Sequence, residues 1–443
     1  MPINSSLFRA TLSGALGGLL FGFDTVVISG AIDALVRLYG LSPQNKGLTV
    51  AIGLVGTVIG ALGAGQLGQR LGSRETLRIT AVLYVVSALG CGLAWNWPAF
   101  MAFRFIGGLG IGASSVLAPV YIAELAPANL RGRLVAAFQL NVVFGVMAAY
   151  ISNYAIRTMH MGAAEWRWQV GVATAPALVF LALLFGIPRS PRWSVSQNRM
   201  EEALSVLKMM GDPKPEAELA DIQKALAQEH ATAHERVFQW KYRYPLFLAI
   251  TIGAFNQLAG INAILYYLNN IFAAAGFSQI SSDQQAIAIG TTNFLFTIVG
   301  MALIDKLGRK TLLLIGAAGC AGCLGGVAWV FATQSHRSDL LWLLVTFVAF
   351  FSVSQGAVIW VYIGEVFPTS VRSKGQGVGS ASHWFMAALI AQLFPVVATV
   401  MSPATPFVFF ALMTAVQFLV VLFAYPETKG QTLEDLQRKL MRA

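Results

Sequence analysis

Apolar residues dominate this chain in long blocks that short polar segments separate. A helix of about 20 such residues crosses a hydrocarbon core about 30 Å thick. The blocks are too long for barrel strands and lack their strict alternation. The pattern therefore predicts an all-α membrane protein. The clearest blocks cover residues 7–30, 48–67, 79–97, 134–156 and 312–333.

Twelve transmembrane helices account for the whole pattern. The first is longer than the apolar core of a signal peptide and has no convincing cleavage site, so we expect it to be retained. A polar stretch at 191–243 separates the sixth span from the seventh. Its apolar residues recur at helical spacing, which predicts short cytoplasmic helices that link two halves, with a membrane-surface role as the alternative. We expect the spans at 8–30, 48–70, 76–96, 98–125, 133–156, 168–187, 244–271, 285–305, 311–333, 338–366, 375–400 and 404–425.

Composition and charge agree with a membrane protein. The chain is 56% hydrophobic and 11% charged, whereas soluble proteins carry about 25% charged residues. The net charge of +10 does not indicate nucleic-acid binding, because the basic residues cluster in alternate loops, which places both termini in the cytoplasm. Cys320 and Cys323 lie inside an apolar helix and indicate packing rather than redox chemistry. The basic clusters are Arg70, Arg74 and Arg78, then Arg131 and Arg133, then Lys306, Arg309 and Lys310, and finally Arg372 and Lys374.

The chain contains an internal repeat. "RLGSRETL" (70–77) resembles "KLGRKTLL" (306–313), and "ELAPANLRGR" (124–133) resembles "EVFPTSVRSK" (365–374). Two six-span halves in parallel orientation are typical of transporters that bind a substrate near the membrane midplane. We expect an N-terminal six-helix bundle at 1–190, a helical linker at 191–243, a C-terminal six-helix bundle at 244–430 and a cytoplasmic tail at 431–443.

Carboxamides interrupt the seventh span in "FNQLAGINAILYY" (255–267). An amide offers donors and an acceptor, the same mixture that sugar hydroxyls offer. On a straight helix Asn256 and Asn262 point to different faces, so we expect a bend or an unwound turn at Gly260. Hydrogen bonds between helices, worth about 0.6 kcal/mol each, are the alternative. The residues alone leave both interpretations open.

Ionisable residues within spans form a second set of candidates. Asp24 lies mid-span without a charged neighbour in sequence, so it must be protonated or find a cation. Arg104, early in the fourth span, is the evident partner. We favour proton coupling by this pair over a permanent structural ion pair, because ionisable residues inside membranes are functional by default.

A third set of charges is duplicated at the cytoplasmic ends of the two halves. Glu124 with Arg131 and Glu365 with Arg372 predict gating networks, and ordinary loop charges are the alternative. Asp305 and Arg309 are expected to join them. No nucleophile–base pair, metal-ligand set or phosphate-binding loop occurs in the sequence, so we predict neither an enzyme nor a bound cofactor.

These motifs together resemble the sugar porter family of the major facilitator superfamily over nearly the whole chain. Three positions of the first half depart from the family pattern. Arg189 in "PRSPRW" (188–193) stands where an acidic residue is usual, and Gln69 and Ser73 alter the first basic loop. The motifs that carry the resemblance are "GLLFGFDTVVISGA" (18–31), "RFIGGLGIGASSVLAPVYIAELAPANLRGRL" (104–134), "NQLAGINAILYY" (256–267), "DKLGRKTL" (305–312), "GEVFPTSVRSKGQG" (364–377) and "PETKGQTLEDL" (426–436).

The resemblance implies the major facilitator fold and a sugar site between its halves. Asn256 replaces a usual glutamine there, and His383 replaces an amide of many relatives. Histidine could add a pH effect or simply be hydrogen-bonded in the bundle. Asp24 and Arg104 match proton-coupled members, while passive facilitators carry an amide in place of the aspartate. The implied sugar-binding residues are Gln139, Asn256, Gln257, Asn262, Tyr267, Asn293, Trp360 and His383.

The expected function is secondary active transport. We predict import of a monosaccharide, such as glucose or xylose, across a bacterial cytoplasmic membrane by alternating access in symport with a proton. The expected surroundings are the lipid bilayer, without nucleic acid, and the expected working unit is a monomer. A facilitative sugar uniporter and a non-transporting sugar sensor are the alternatives that would use the same pocket.

Overall fold

The computed structural model describes residues 4–127, 130–232, 235–368, 371–431 and 440. Over these residues the chain is helical and forms no strand. Eleven helices within them are long and apolar enough to cross a membrane, which confirms the predicted all-α membrane fold. Of the predicted tail at 431–443, residues 432–439 and 441–443 lie outside the described part of the chain.

The N-terminal half contains five long helices followed by two shorter ones. Their bounds extend the predicted spans by several residues at most ends. The helices are α1 Ser5–Tyr39, α2 Pro43–Leu71, α3 Ser73–Leu93, α4 Trp97–Leu125, α5 Arg131–Thr158, α6 Glu165–Gly171 and α7 Thr174–Leu183.

The sixth predicted span, 168–187, is divided between α6 and α7. Pro176 has no backbone N–H to donate to the carbonyl of Val172, four residues earlier, and its ring crowds that carbonyl. The chain responds with a turn at Val172 and Ala173. The predicted span is therefore present as two helices, neither of which is long enough alone to cross the hydrocarbon core.

The linker and the C-terminal half contain the remaining helices. The predicted short linker helices are confirmed. The helix Met200–Met210 ends before Gly211, which adopts a left-handed conformation with φ 81°. A π-helical turn at Ser352–Gly356 interrupts the tenth predicted span. The helices are α8 Pro191–Ser196, α9 Met200–Met210, α10 Pro215–Thr232, α11 Arg243–Leu258, α12 Ile261–Tyr266, α13 Leu268–Ala274, α14 Gln279–Leu307, α15 Arg309–Thr333, α16 Asp339–Phe351, α17 Ala357–Val366, α18 Arg372–Val400 and α19 Thr405–Ala424.

Contacts divide the chain into two compact units. The first contains Met1–Thr25, Val55–Ala149 and Arg167–His234. The second contains Val26–Leu54, Tyr150–Trp166 and Glu235–Ala443. Helices α1, α2, α5 and α6 therefore contribute residues to both units. The division at 1–190, 191–243 and 244–430 follows the sequence repeat and stays a prediction.

Close helix packing organises the first unit. Helix α3 packs along α4 and against α7, and Tyr121 and Phe180 are fully buried in its core. Helices α1 and α5 approach through glycines, because a Cβ added at Gly22 would lie 1.8 Å from the carbonyl oxygen of Val142. A Cβ at Gly145 would likewise lie 2.1 Å from the oxygen of Leu19. Only glycine permits this backbone contact.

The second unit has its own set of packed helices. Helix α15 packs against α19 and α16, and α11 packs against α18. Fully buried Phe347, Tyr362 and Phe367 fill the space between helices, and Tyr362 stacks on Tyr425 with ring centroids 5.3 Å apart. These contacts fix α11, α17 and α18, the helices that carry the polar residues described below.

Gly22→Ala is expected to destabilise the protein, since its methyl group would collide with the backbone of α5. Overpacking of this kind costs about 1–3 kcal/mol, so the thermal unfolding midpoint in detergent should fall by several degrees. Gly65→Ala on α2 is the matched control, because a Cβ there meets nothing within 4 Å. Equal midpoints for the two variants would contradict the close approach of α1 and α5.

Candidate functional site

The seventh predicted span breaks at the predicted glycine. Helix α11 ends at Leu258, α12 begins at Ile261, and Gly260 between them has φ 81°. A side chain there is excluded twice, because L-residues rarely adopt that conformation and a Cβ would lie 2.3 Å from the Phe410 ring. The expected unwound turn is confirmed, and it places the amides before and after Gly260 on different helices.

Gln257 is the centre of a buried polar cluster in the second unit. Its Nε2 lies 3.0 Å from the Asn256 Oδ1 and donates to it. The same nitrogen lies 3.2 Å from the His383 Nε2 on α18, where the direction of donation depends on the imidazole tautomer. Asn256 donates from Nδ2 to the Gln355 carbonyl at 3.4 Å. The three side chains carry no formal charge with a neutral imidazole, and each is at most 7% exposed.

Two indoles flank the imidazole of His383. The Trp360 ring centroid is 5.1 Å from the imidazole centroid, and the Trp384 ring lies edge-on at 4.8 Å. Trp384 is buried, whereas Trp360 is 38% exposed. An exposed indole face next to buried amides suits a ligand with both C–H and hydroxyl surfaces.

Gln355 is a residue that the sequence analysis missed. It lies in the π-helical turn Ser352–Gly356 and is 1% exposed. Neither its Oε1 nor its Nε2 has a hydrogen-bond partner among the described residues. Buried amides normally have partners, so Gln355 offers an unused donor and acceptor beside Asn256. An amide five residues before Trp360 in an apolar span was the available signal.

The remaining residues that were predicted to bind sugar differ in burial and in hydrogen bonding. Asn293 is half-buried on α14 and accepts from Ser352 Oγ at 3.2 Å. Asn262 is half-buried on α12, and Gln139 is half-buried on α5 in the first unit. The Tyr267 hydroxyl already donates to the Ala391 carbonyl at 2.9 Å. The structure thus brings Asn256, Gln257, Trp360 and His383 together.

Asp24 and Arg104 form the expected ion pair inside the first unit. Arg104 Nη1 donates to Asp24 Oδ2 at 3.1 Å and to the Asp24 carbonyl at 3.2 Å. The side chains are 12% and 6% exposed, respectively. Arg104 Nε is buried without a partner in the described part of the chain. Asp24 is therefore the charged acceptor on which the burial of this guanidinium depends.

A cluster of charges joins three segments of the second unit at its cytoplasmic end. Arg309 donates from Nη2 and Nε to Glu365 at 2.8 and 3.2 Å, and from Nη1 to Asp305 at 3.0 Å. Glu427 accepts the backbone N–H groups of Arg309 and Lys310 at 2.9 and 3.0 Å. This carboxylate thereby caps the first turn of α15.

The first unit has different residues at the corresponding repeat positions. Ser73 occupies the repeat position of Arg309 and donates a single bond to Glu124 at 3.2 Å. The guanidinium of Arg189 stacks 5.2 Å from the Trp193 ring. Two of the departures from the family pattern, Arg189 and Gln69, are linked through Trp193, because its indole donates to the Gln69 carbonyl at 3.2 Å.

Two further gating candidates have recorded partners. Arg131 pairs with Glu218 of α10 at 3.3 Å, which links the linker to the start of α5. Arg372 donates to the Phe367 carbonyl at 3.4 Å. The gating roles proposed for Glu124, Arg131, Asp305, Arg309, Glu365 and Arg372 stay predictions.

Glu427→Gln is expected to lower the free energy of unfolding by about 1 kcal/mol, the usual value of a helix cap. Burial acts to raise the pKa of Glu427, but the backbone N–H groups of Lys429, Arg309 and Lys310 outweigh it and hold that pKa below its ordinary value of 4.5. The carboxylate therefore stabilises the fold at pH 7 and loses this effect as the pH falls through the lowered pKa.

Thermal unfolding of both proteins at pH 7 and at stepwise lower pH measures this effect. The difference in unfolding midpoint between wild type and Glu427→Gln should be largest at pH 7 and should shrink below pH 4.5. Glu216→Gln, at an exposed ion pair with Lys208, is the control and should change little. A difference that does not vary with pH would contradict the cap.

Comparison with known proteins relates this arrangement to one family. The family model described as "Sugar (and other) transporter" matches residues 10–440. The arabinose-proton symporter of Bacillus subtilis is 35% identical over 96% of this chain and 93% of its own length. The D-xylose-proton symporter of Escherichia coli is 33% identical over 98% of this chain and 96% of its own.

A solved structure agrees with this likeness. The xylose transporter XylE from E. coli, in a conformation described as partially occluded and inward open, superposes with a TM-score of 0.87. Its sequence is 32% identical, and the match covers 97% of this chain and 100% of that one.

Proposed function

The chain belongs to the sugar transporter family, and we propose that it is a monosaccharide–proton symporter that works by alternating access. The observation that carries the proposal is the buried Asp24–Arg104 pair, with its 3.1 Å contact. Proton coupling needs a carboxylate whose protonation alters the energy of the protein, and this pair meets that need. The relatives named as arabinose- and xylose-proton symporters support the same function.

Protonation of Asp24 would change which conformation of α1 and α4 is the more stable. A neutral carboxyl no longer compensates Arg104, and an unpaired buried charge costs several kcal/mol. That cost favours a conformation in which Arg104 finds water or another acceptor. At a membrane potential of 100 mV, each proton that enters also contributes about 2.3 kcal/mol.

The neutral cluster around Gln257 is the proposed sugar contact in the second unit. A sugar hydroxyl both donates and accepts, so it can replace the bonds that Gln257, Asn256 and His383 make with one another. The unpartnered amide of Gln355 adds a further donor and acceptor at the same place. Trp360 supplies an apolar face for sugar C–H groups.

Gln257→Ala is expected to weaken sugar binding by about 1–3 kcal/mol, which is about 5- to 150-fold in Kd. The physical reason is the loss of a hydroxyl partner at the centre of the cluster. Calorimetric titration of folded protein with xylose, arabinose and glucose measures the change. Gln285→Ala removes another buried amide in the same unit, 8% exposed, and should leave affinity unaltered. An unchanged Kd for Gln257→Ala would reject the proposed sugar contact.

Asp24→Asn is expected to uncouple sugar movement from the proton gradient, because the amide keeps the shape but cannot titrate. In proteoliposomes, accumulation driven by an acidic exterior should vanish. Counterflow, which needs no net proton movement, should persist at least in part. Asp339→Asn, at a carboxylate that is 58% exposed, should accumulate sugar like the wild type.

The outcome separates two mechanisms. If Asp24→Asn still concentrates sugar under an imposed pH gradient, Asp24 does not carry the coupling. If the wild type itself shows counterflow but no pH-driven accumulation, the protein is a uniporter and the Asp24–Arg104 pair is structural.

A further inference from the structure

Arg157, near the end of α5, is a hub of polar contacts that the proposed function does not use. Its side chain is 12% exposed. Nη1 donates to Glu165 Oε1 at 3.1 Å and to Gln279 Oε1 at 3.3 Å. Nη2 donates to the Gly30 carbonyl at 3.2 Å, and Nε donates to Asp283 Oδ2. All of these residues belong to the second compact unit.

The Asp283 carboxylate is almost completely buried, with 1% of the side chain exposed. Besides Arg157, it accepts from Asn269 Nδ2 at 2.5 Å. A carboxylate at this depth needs a cation, since removal of one partner of a buried pair leaves an uncompensated charge. The Arg157–Asp283 pair is therefore a strong constraint on the ends of α5 and α14.

The contacts of Arg157 cross from one sequence repeat to the other. Gly30, Arg157 and Glu165 belong to the first six spans, whereas Gln279 and Asp283 belong to the second six. The charge cluster of Arg309, Glu365 and Asp305 lies within one repeat. An ion pair within a repeat moves with that repeat, while a pair across repeats must break when the repeats separate.

Further hydrogen bonds among the described residues cross between the repeats in the same unit, including one from Gln284 to the Tyr154 hydroxyl at 3.4 Å. Asn270 donates to Asp33 at 2.5 Å, Gln392 donates to the Gln44 carbonyl at 2.9 Å, and Tyr150 donates to the Leu265 carbonyl at 2.8 Å. With the termini in the cytoplasm, the end of α1, the α5–α6 connection and the α13–α14 connection all lie on the outer face.

A cavity of about 390 Å³ adjoins these contacts and is lined in part by Arg157, Glu165, Asp33 and Asn269. Ser29 also lines the cavity. The side-chain oxygens Ser29 Oγ and Asn269 Oδ1 are buried without a hydrogen-bond partner in the described part of the chain. Polar walls of this kind can hold water, which would solvate Arg157 and Asp283 once their mutual contact breaks.

We propose that Arg157 and Asp283 form an outer latch, which holds the outer ends of the two repeats together and must open before a sugar can enter from outside. The Gly30 carbonyl, in the same repeat as Arg157, orients the guanidinium toward Asp283. The latch rests on the proposed alternating-access function. Loss of the latch stabilises the outward-open state relative to the outward-closed state, because only the closed state contains these bonds.

Distances between spin labels on the outer face test the latch in the full-length protein. Met159→Cys and Ile280→Cys supply exposed labelling sites, 61% and 43% exposed, on segments that the latch joins. Native cysteines are buried at Cys91, Cys320 and Cys323. The outward-open state should give a longer distance between the labels than the outward-closed state. In Arg157→Gln and in Asp283→Asn the population with the longer distance should rise about tenfold relative to the population with the shorter distance.

Arg167→Gln is the matched control. Arg167 is also a part-buried arginine at an outer end, but its bonds to the Gly92 and Ala94 carbonyls, at 2.9 and 2.8 Å, stay within the first repeat. The distance distribution should therefore match that of the unmodified protein. A shift as large as that of Arg157→Gln would overturn the latch, because it would reflect general loosening.

Arg157→Lys tests the latch if Arg157→Gln does not fold. The ammonium keeps the charge for Asp283 but lacks the planar fork by which the guanidinium bonds Asp283 and Gln279 together, so a smaller shift in the same direction is expected. Unchanged distances in the folded variants would overturn the latch. Xylose counterflow by unmodified protein tests the transport function separately: counterflow with unchanged distances rejects only the latch, and absence of counterflow with all tested sugars rejects the transport function.

Discussion

A charge or an amide can be buried in an apolar helix bundle only when another group of the protein neutralises it or hydrogen-bonds to it, because hydrocarbon offers no replacement for water. Arg104 meets this constraint through Asp24 at 3.1 Å, and Gln257 meets it through Asn256 and His383. The contact of Arg104 with Asp24 links α4 to α1, and the contact of Gln257 with His383 links α11 to α18. The polar residues of this chain therefore decide which helix faces point inward.

The same constraint connects structure with transport. A group that must have a partner is sensitive to anything that removes or replaces that partner. In the proposed mechanism a proton does this at Asp24, because it cancels the charge that Arg104 requires. At Gln257 the proposed partner is a sugar hydroxyl, which can replace an amide partner without any change of charge. The proposal thus assigns proton coupling to an ionic site and sugar binding to a neutral site.

Ion pairs at the helix ends differ in what they connect. Arg309 and Glu365 join segments of one repeat, and Glu427 completes them by capping α15. The first repeat has Ser73 in the position of Arg309, and its Glu124 receives a single hydroxyl bond from that serine. Arg157 and Asp283 instead join the two repeats. The duplicated design is therefore symmetric in helices but asymmetric in charge.

The membrane-spanning helices, the linker helices and the break at Gly260 could be predicted from the sequence, because they follow from local hydrophobicity and glycine freedom. The division of the sixth span at Pro176 was not predicted. The sequence also identified Asp24 with Arg104, since an isolated charge in an apolar span demands a partner. The tertiary structure was needed to show that the Tyr267 hydroxyl donates to the Ala391 carbonyl, that the Gln355 side chain has no hydrogen-bond partner among the described residues, and that Arg157 meets Asp283. These contacts depend on which helix faces meet across about 100 residues of sequence or more, and no local pattern contains that information.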